Sequence, residues 1–123
     1  MKKSINYWSF PGGLEGTKGV RECMREAKGF GFDAVELCLS ERGEVSLESS
    51  VSELGEISES AKGIGIEISS LASGLLWSSS LTSGDVAVST KARGIVRKQI
   101  EAASALGTDA ILAIPGAVDV FFM

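Results

Sequence analysis

Three stretches of the chain repeat apolar residues every three or four positions, and four shorter runs of β-branched or apolar residues lie between and around them. Val20, Cys23, Met24 and Ala27 fall at i, i+3, i+4 and i+7, which puts them on one face of a helix. Leu54, Ile57, Ala61 and Ile64 do the same for a second helix. Ala92, Ile95, Val96, Ile100, Ala103 and Leu106 define a third. Gly29, Gly55 and Gly63 lie in or near the first two, and a glycine inside a helix costs about 1 kcal/mol relative to alanine. The runs at residues 4–8, 34–39, 66–72 and 110–115 predict strands. The predicted order is βαβαβαβ, and strands joined through helices in this way are parallel with right-handed crossovers.

The pattern repeats internally. Gly31-Phe32-Asp33-Ala34-Val35-Glu36-Leu37 matches Gly107-Thr108-Asp109-Ala110-Ile111-Leu112-Ala113 in type, with a weaker copy at Gly65-Ile66-Glu67-Ile68. Each glycine follows a helical stretch and precedes a strand, where a left-handed residue ends the helix. The spacing suits one strand plus one crossover helix.

Strand parity separates two α/β architectures. Asn6 and Trp8, Glu36 and Cys38, Glu67 and Ser69, and Ala113 and Pro115 share one side of their strands. Ile5, Val35, Leu37, Ile66, Ile68, Leu112 and Ile114 occupy the other. Strands covered by helices on both faces are apolar throughout. One apolar face and one partly polar face favour half of a (β/α)8 barrel; an open doubly wound parallel sheet is the alternative. A complete barrel takes about 250 residues, and this sequence has 123. The expectation is one domain over residues 1–123, a half-barrel cut after its fourth strand, with apolar Phe121 and Phe122 at the end.

Composition narrows the chemistry. The hydrophobic share of 44% excludes a disordered tail, and no apolar run is long enough to span a bilayer. A net charge of −4 offers no footprint for nucleic acid. There is no histidine, so neither a His-based triad nor a His-containing zinc site can form within the chain. Cys23 and Cys38 lie outside any CxxC arrangement, each in an apolar stretch, and are expected as buried free thiols. Such thiols suit a reducing compartment; with no signal-peptide pattern at the N-terminus, the cytoplasm is the expected location.

Residues 3–11, 31–40, 66–77 and 96–122 resemble the xylose-isomerase-like barrel superfamily of sugar and sugar-phosphate isomerases and epimerases. The motifs are Gly31-Phe32-Asp33-Ala34-Val35-Glu36-Leu37, Ile68-Ser69-Ser70-Leu71-Ala72-Ser73-Gly74 and Pro115-Gly116-Ala117-Val118. The resemblance covers the chain and the family's N-terminal half. It implies proton transfer next to a ketose carbonyl, with two Glu, one Asp and one His on later strands holding Mn²⁺, Mg²⁺ or another divalent ion. None of these residues can be carried over: histidine is missing, and the only acid after Pro115 is Asp119. No catalytic residue, metal ligand or resident cofactor is therefore assigned to this chain, and it is expected to be inactive alone.

What the resemblance leaves is a substrate wall. Barrel sites lie at the C-terminal ends of the strands, here residues 8–10, 38–40, 73–77 and 115–117; with Glu36 added for its inward parity within a strand, Trp8, Glu36, Ser73, Trp77, Pro115 and Gly116 are the candidate sugar-binding residues. Three of these have a plainer reading. Glu36 could instead be a paired structural carboxylate, and the two tryptophans could simply pack. Glu67, at a strand start, reads as structural. Residues 12–18 lack the order of a phosphate loop and read as a flexible connection. Gly29-x-Gly31-x-x-Ala34 precedes a strand, so it cannot serve as a dinucleotide fingerprint. Residues 78–80 and Ser83 read as a polar linker, with Ser83 or Asp85 capping the third helix. The expected partners are a small-molecule sugar or sugar phosphate and, because a half-barrel leaves two strand edges open, a second copy in a homodimer. The alternative function is a non-catalytic, self-associating scaffold or binding module.

Overall fold

The segment Ala34–Leu39 is strand β2, and its alternation sets the two sides of the molecule. Val35, Leu37 and Leu39 are buried against helices, whereas Glu36 on the opposite face is only half-buried. A computed structural model describes residues 1–117. Its sheet has four parallel strands in sequential order: β1 (Ser4–Asn6), β2, β3 (Glu67–Ser73) and β4 (Ile111–Leu112). Helices α1 (Val20–Gly29), α2 (Val51–Ile64), the short α3 (Leu75–Ser78) and α4 (Val86–Leu106) connect them. A doubly wound sheet reverses its strand order at a switch point. This sheet does not reverse, so the half-barrel is the architecture.

The main core lies between the sheet and its helices. Cys23, Met24, Leu37, Leu54, Leu71 and Leu106 are among its fully or almost fully buried members, and burying one Leu-sized side chain contributes about 1.5–3 kcal/mol. A smaller cluster of Leu76, Ala92 and Ile95 sits under α3 and the start of α4. Helix α2 starts with a capping box: the Ser50 hydroxyl accepts from the Glu53 N–H, and the Glu53 carboxylate accepts from the Ser50 N–H. Asp85, one of the two expected caps, holds the start of α4 by accepting from the Ala87 N–H. Gly65 and Gly107 end α2 and α4 with φ of +84° and +81°, the left-handed geometry that the repeats implied.

The repeated Gly-x-Asp motif has a local function. The Asp33 carboxylate accepts from the Lys3 N–H at 2.8 Å, and the Asp33 N–H donates to the Lys3 carbonyl at 2.9 Å. The start of β2 is thereby tied to the chain entering β1. In the second copy, Thr108 takes that part, its hydroxyl donating to the Ser69 carbonyl at 2.9 Å.

Several expectations need correction. The first strand stops at Asn6, because the Asn6 side chain accepts from the Trp8 N–H and turns residues 7–9 into a single 3₁₀ turn. A register shift opposite Val35/Glu36 makes Ser69 an extra residue in β3, so Ser70 rather than Ser69 shares a face with Glu36. In β4 the expected parity is inverted. Leu112 pairs with Ala72 and lies on the Glu36 face, 49% exposed, whereas Ile111 packs on the main core and Ala113 on the smaller cluster. A one-residue slip reverses every side chain of a strand. Ile100, expected on the buried face of its helix, is 56% exposed, and Gln99 is fully buried in its stead. The Gln99 amide donates to the carbonyls of Leu71 (2.8 Å) and Leu112 (3.0 Å), joining α4 to the gap between β3 and β4. The linker expected at residues 78–80 is partly helical, since α3 ends at Ser78. Asp119, Phe121 and Phe122 lie outside the described residues.

Candidate functional site

The polar face of the sheet carries a continuous hydrogen-bonded row. Asn6 and Glu36 are register partners across β1 and β2, as are Glu36 and Ser70 across β2 and β3. The Asn6 amide donates to one Glu36 oxygen at 2.6 Å and the Ser70 hydroxyl to the other at 2.6 Å. Asn6 also accepts, from the Trp8 N–H at 2.7 Å and from the Cys38 thiol at 3.7 Å. Each Glu36 oxygen therefore accepts from a neutral donor on a neighbouring strand, which offsets part of the cost of taking a carboxylate half out of water. Beyond Glu36 along the same face lie Cys38, Ala72 and Leu112. Burial pushes the Cys38 thiol up to about 12 and the Cys23 thiol up to about 11, so both are neutral at physiological pH. Both are free cysteines, as expected.

At the C-terminal ends of β1 and β3 the two tryptophans meet. Trp8 and Trp77 stack with ring centroids 5.9 Å apart and planes 30° from parallel. Trp8 comes from the 3₁₀ turn after β1, and Trp77 from α3 directly after β3. Gly74 makes room for them: a Cβ there would lie 2.9 Å from the Trp77 ring and 3.6 Å from that of Trp8. The pair borders a groove of about 300 Å³ that also has Leu14, Leu39, Leu75 and Glu41 on its walls.

The other candidates are placed differently. Ser73 is buried, its hydroxyl donating to the Leu39 carbonyl at 2.9 Å and accepting from the Leu75 N–H at 3.2 Å. It fastens the end of β3 to β2 and to the start of α3. Pro115 and Gly116 lie against the loop after α3, with the Ser80 hydroxyl donating to the Pro115 carbonyl at 3.2 Å. A Cβ on Gly116 would collide with Thr82, so glycine permits this close approach. Glu67 pairs with Lys2 at 2.5 Å at the opposite end of the strands, a surface contact as expected. Residues 12–18 form consecutive turns, with the Thr17 and Lys18 N–H groups both donating to the Gly12 carbonyl. The start of α1 is not open to a phosphate, because the Glu44 carboxylate accepts from the Val20 N–H at 3.0 Å and lies 3.4 Å from Arg21.

Asn6, Ser70 and Glu41 are residues of this face that sequence reasoning did not assign to a site. Asn6 had a usable signal, since its parity matched Glu36. Ser70 had none, because the bulge that brings it round leaves no mark in the pattern. No group of three or more His, Cys, Asp or Glu side chains that could hold a metal ion occurs among the described residues. With histidine also missing from the sequence, these residues do not fit the divalent ion implied by the resemblance.

Parallel strands in sequential order with helices on one face define part of a (β/α)8 barrel. Residues 24–120 match the xylose isomerase-like TIM barrel family, and the chain belongs to it. Among solved structures it is similar to a D-psicose 3-epimerase determined in the presence of D-fructose, with a TM-score of 0.72 and 23% sequence identity. The match covers 90% of this chain and 36% of that one, so the chain spans little more than a third of the enzyme's length. No curated protein matches the sequence. No helix among the described residues is long and apolar enough to cross a membrane.

Proposed function

We propose that this chain is a single half-barrel domain forming one wall of the ligand site in a sugar isomerase/epimerase-type barrel. Its ligand is a small sugar or sugar phosphate, and the proton transfer next to the ketose carbonyl belongs to residues that the resemblance places on later strands. The observation that carries this reading is the stacked Trp8–Trp77 pair at the strand ends, one layer above the Asn6–Glu36–Ser70 row. Aromatic faces suit the C–H face of a sugar ring, and the row offers polar groups fixed in position by their neighbours. Glu36 acts here by orienting Asn6 and Ser70, while Ser73, Pro115 and Gly116 shape the rim. Metal ions enter through the missing carboxylates and histidine of a longer relative, not through this chain. The cytoplasm suits its two buried thiols.

The test follows the indole signals of the two tryptophans by NMR during titration with a free ketose. Saturable shifts of each indole that weaken when the other tryptophan is replaced by Ala support the wall; unchanged signals refute it. Purified chain should turn over no ketose with or without Mn²⁺ or Mg²⁺, and turnover abolished by a chelator would contradict this assignment.

A second reading, the self-associating scaffold, is favoured by one observation. Strands β1 and β4 are the sheet's two edges among the described residues, and Leu112 is half-exposed on the concave face. In this reading a twofold homodimer pairs β4 of one copy with β1 of the other. Sedimentation equilibrium at micromolar concentration separates the two: a stable dimer supports the scaffold, a stable monomer removes it.

A further inference from the structure

We infer that the groove beside Trp8 and Trp77 takes the uncharged, carbon-faced end of a sugar and disfavours a phosphorylated end. The inference rests on the reading of this face as a sugar wall and adds the class of ligand it accepts. Trp8, Leu14, Leu75 and Trp77 supply the groove's apolar surface, and among the described residues that line it Glu41 alone is ionisable. Glu36, on the polar face of the sheet, is a second carboxylate, and both of its bonded donors are neutral.

A phosphate is normally held by Arg or Lys side chains or by free N–H groups at a helix start. Among the described residues, the lining of this groove offers none of these cations. Lys18, on the loop after β1, is held by Glu26 at 2.6 Å and by Glu22 at 3.3 Å. Arg42 lines a separate cavity of about 120 Å³ together with Tyr7 and Glu44. The start of α1 is capped by Glu44. Helix α3, which borders the groove, has only four residues and thus little dipole to offer. A dianion entering here would meet carboxylate charge and desolvating rings without a compensating cation, whereas a neutral ring loses only weakly held water.

The experiment titrates the full chain with a free ketohexose, its 6-phosphate and inorganic phosphate at constant pH and ionic strength. The two indole signals serve as separate readouts, assigned with Trp8→Phe and Trp77→Phe. The free sugar is expected to shift both signals at least about tenfold more tightly than its ester, with no response to inorganic phosphate. Equal or tighter binding of the ester overturns the inference while leaving the sugar wall standing. Silence of both signals with every ligand overturns the wall and this inference together. Glu41→Lys, an exposed loop substitution, should narrow the gap between ester and free sugar severalfold; an unchanged ratio would show that charge does not set the preference.

Discussion

The two faces of the sheet solve the same burial problem by different chemistry. On the helix side, Val35, Leu37 and Leu71 are fully buried and gain their stability from apolar area and close packing. On the concave side, Asn6, Glu36 and Ser70 stay half-buried and are fixed by directed hydrogen bonds at 2.6 Å. The packed face tolerates no loss of volume. The bonded face trades some stability for polar groups held in defined positions, which is what a ligand-facing surface needs. Replacing a residue on either side should therefore have different consequences.

The largest effect is expected from Leu71→Ala, which removes a fully buried side chain and should cost about 2–5 kcal/mol in denaturant unfolding. A cost below that of Ser70→Ala, its neighbour on the other face, would break the comparison. Next is the alkaline limb. Cys23 sits in α1 and Cys38 on the concave face, and burial raises both above their ordinary value of 9.0, to about 11 and about 12. The folded state holds these protons more tightly than the unfolded chain. Their contribution to stability is thus complete below pH 9 and falls as pH rises towards 11–12. Melting temperatures measured from pH 8 to 11 should decline, and both thiols should resist alkylation at pH 8 until the protein unfolds. Fast alkylation of Cys38 alone would show that the concave face is wet at this depth.

Glu36→Gln comes third. The amide keeps one acceptor but turns its NH₂ towards a donor, so about 1–3 kcal/mol should be lost. The sharper readout is ligand affinity, which should fall further than stability does if the row positions a sugar. The smallest effect is of opposite sign. Gly63 lies within α2 with open space where a Cβ would stand, and Gly63→Ala should stabilise the fold by about 0.5–1 kcal/mol. Destabilisation there would mean that the glycine serves a contact on the outer side of the helices.

The helix side was largely legible in the sequence, because apolar periodicity records which residues meet a neighbour. Cys23, Met24 and Ala27 in α1, and Leu54, Ile57 and Ala61 in α2, all lie where their spacing put them. The exceptions have a common cause: a polar group recruited by backbone. Gln99 displaced Ile100 from the buried stripe because its amide reaches two strand carbonyls, and Asn6 ended a strand early by accepting from Trp8. The concave side was legible only in kind. Its polarity and the inward parity of Glu36 could be read, but the bulge at Ser69 and the slip of β4 decide which side chains meet, and neither has a periodic signature. The stacking of Trp8 with Trp77 was likewise out of reach, since it depends on a four-residue helix too short to show a repeat.

The sequential strand order has a consequence for how the molecule acquires its shape. Ser4 pairs with Ala34, Val35 with Ile68, and Leu71 with Ile111, so each strand finds its neighbour within a few tens of residues along the chain. No strand must wait for a distant segment in order to join the sheet. Each parallel pairing must still close a loop over its crossover helix and so forms more slowly than a hairpin, but chains are made from the N-terminus at only about 5–20 residues per second. The β1–β2 pair can be in place on the ribosome before β3 has emerged, and each later unit then docks on a surface already built. Growth by addition leaves a fresh, receptive edge at every stage until the sheet is complete.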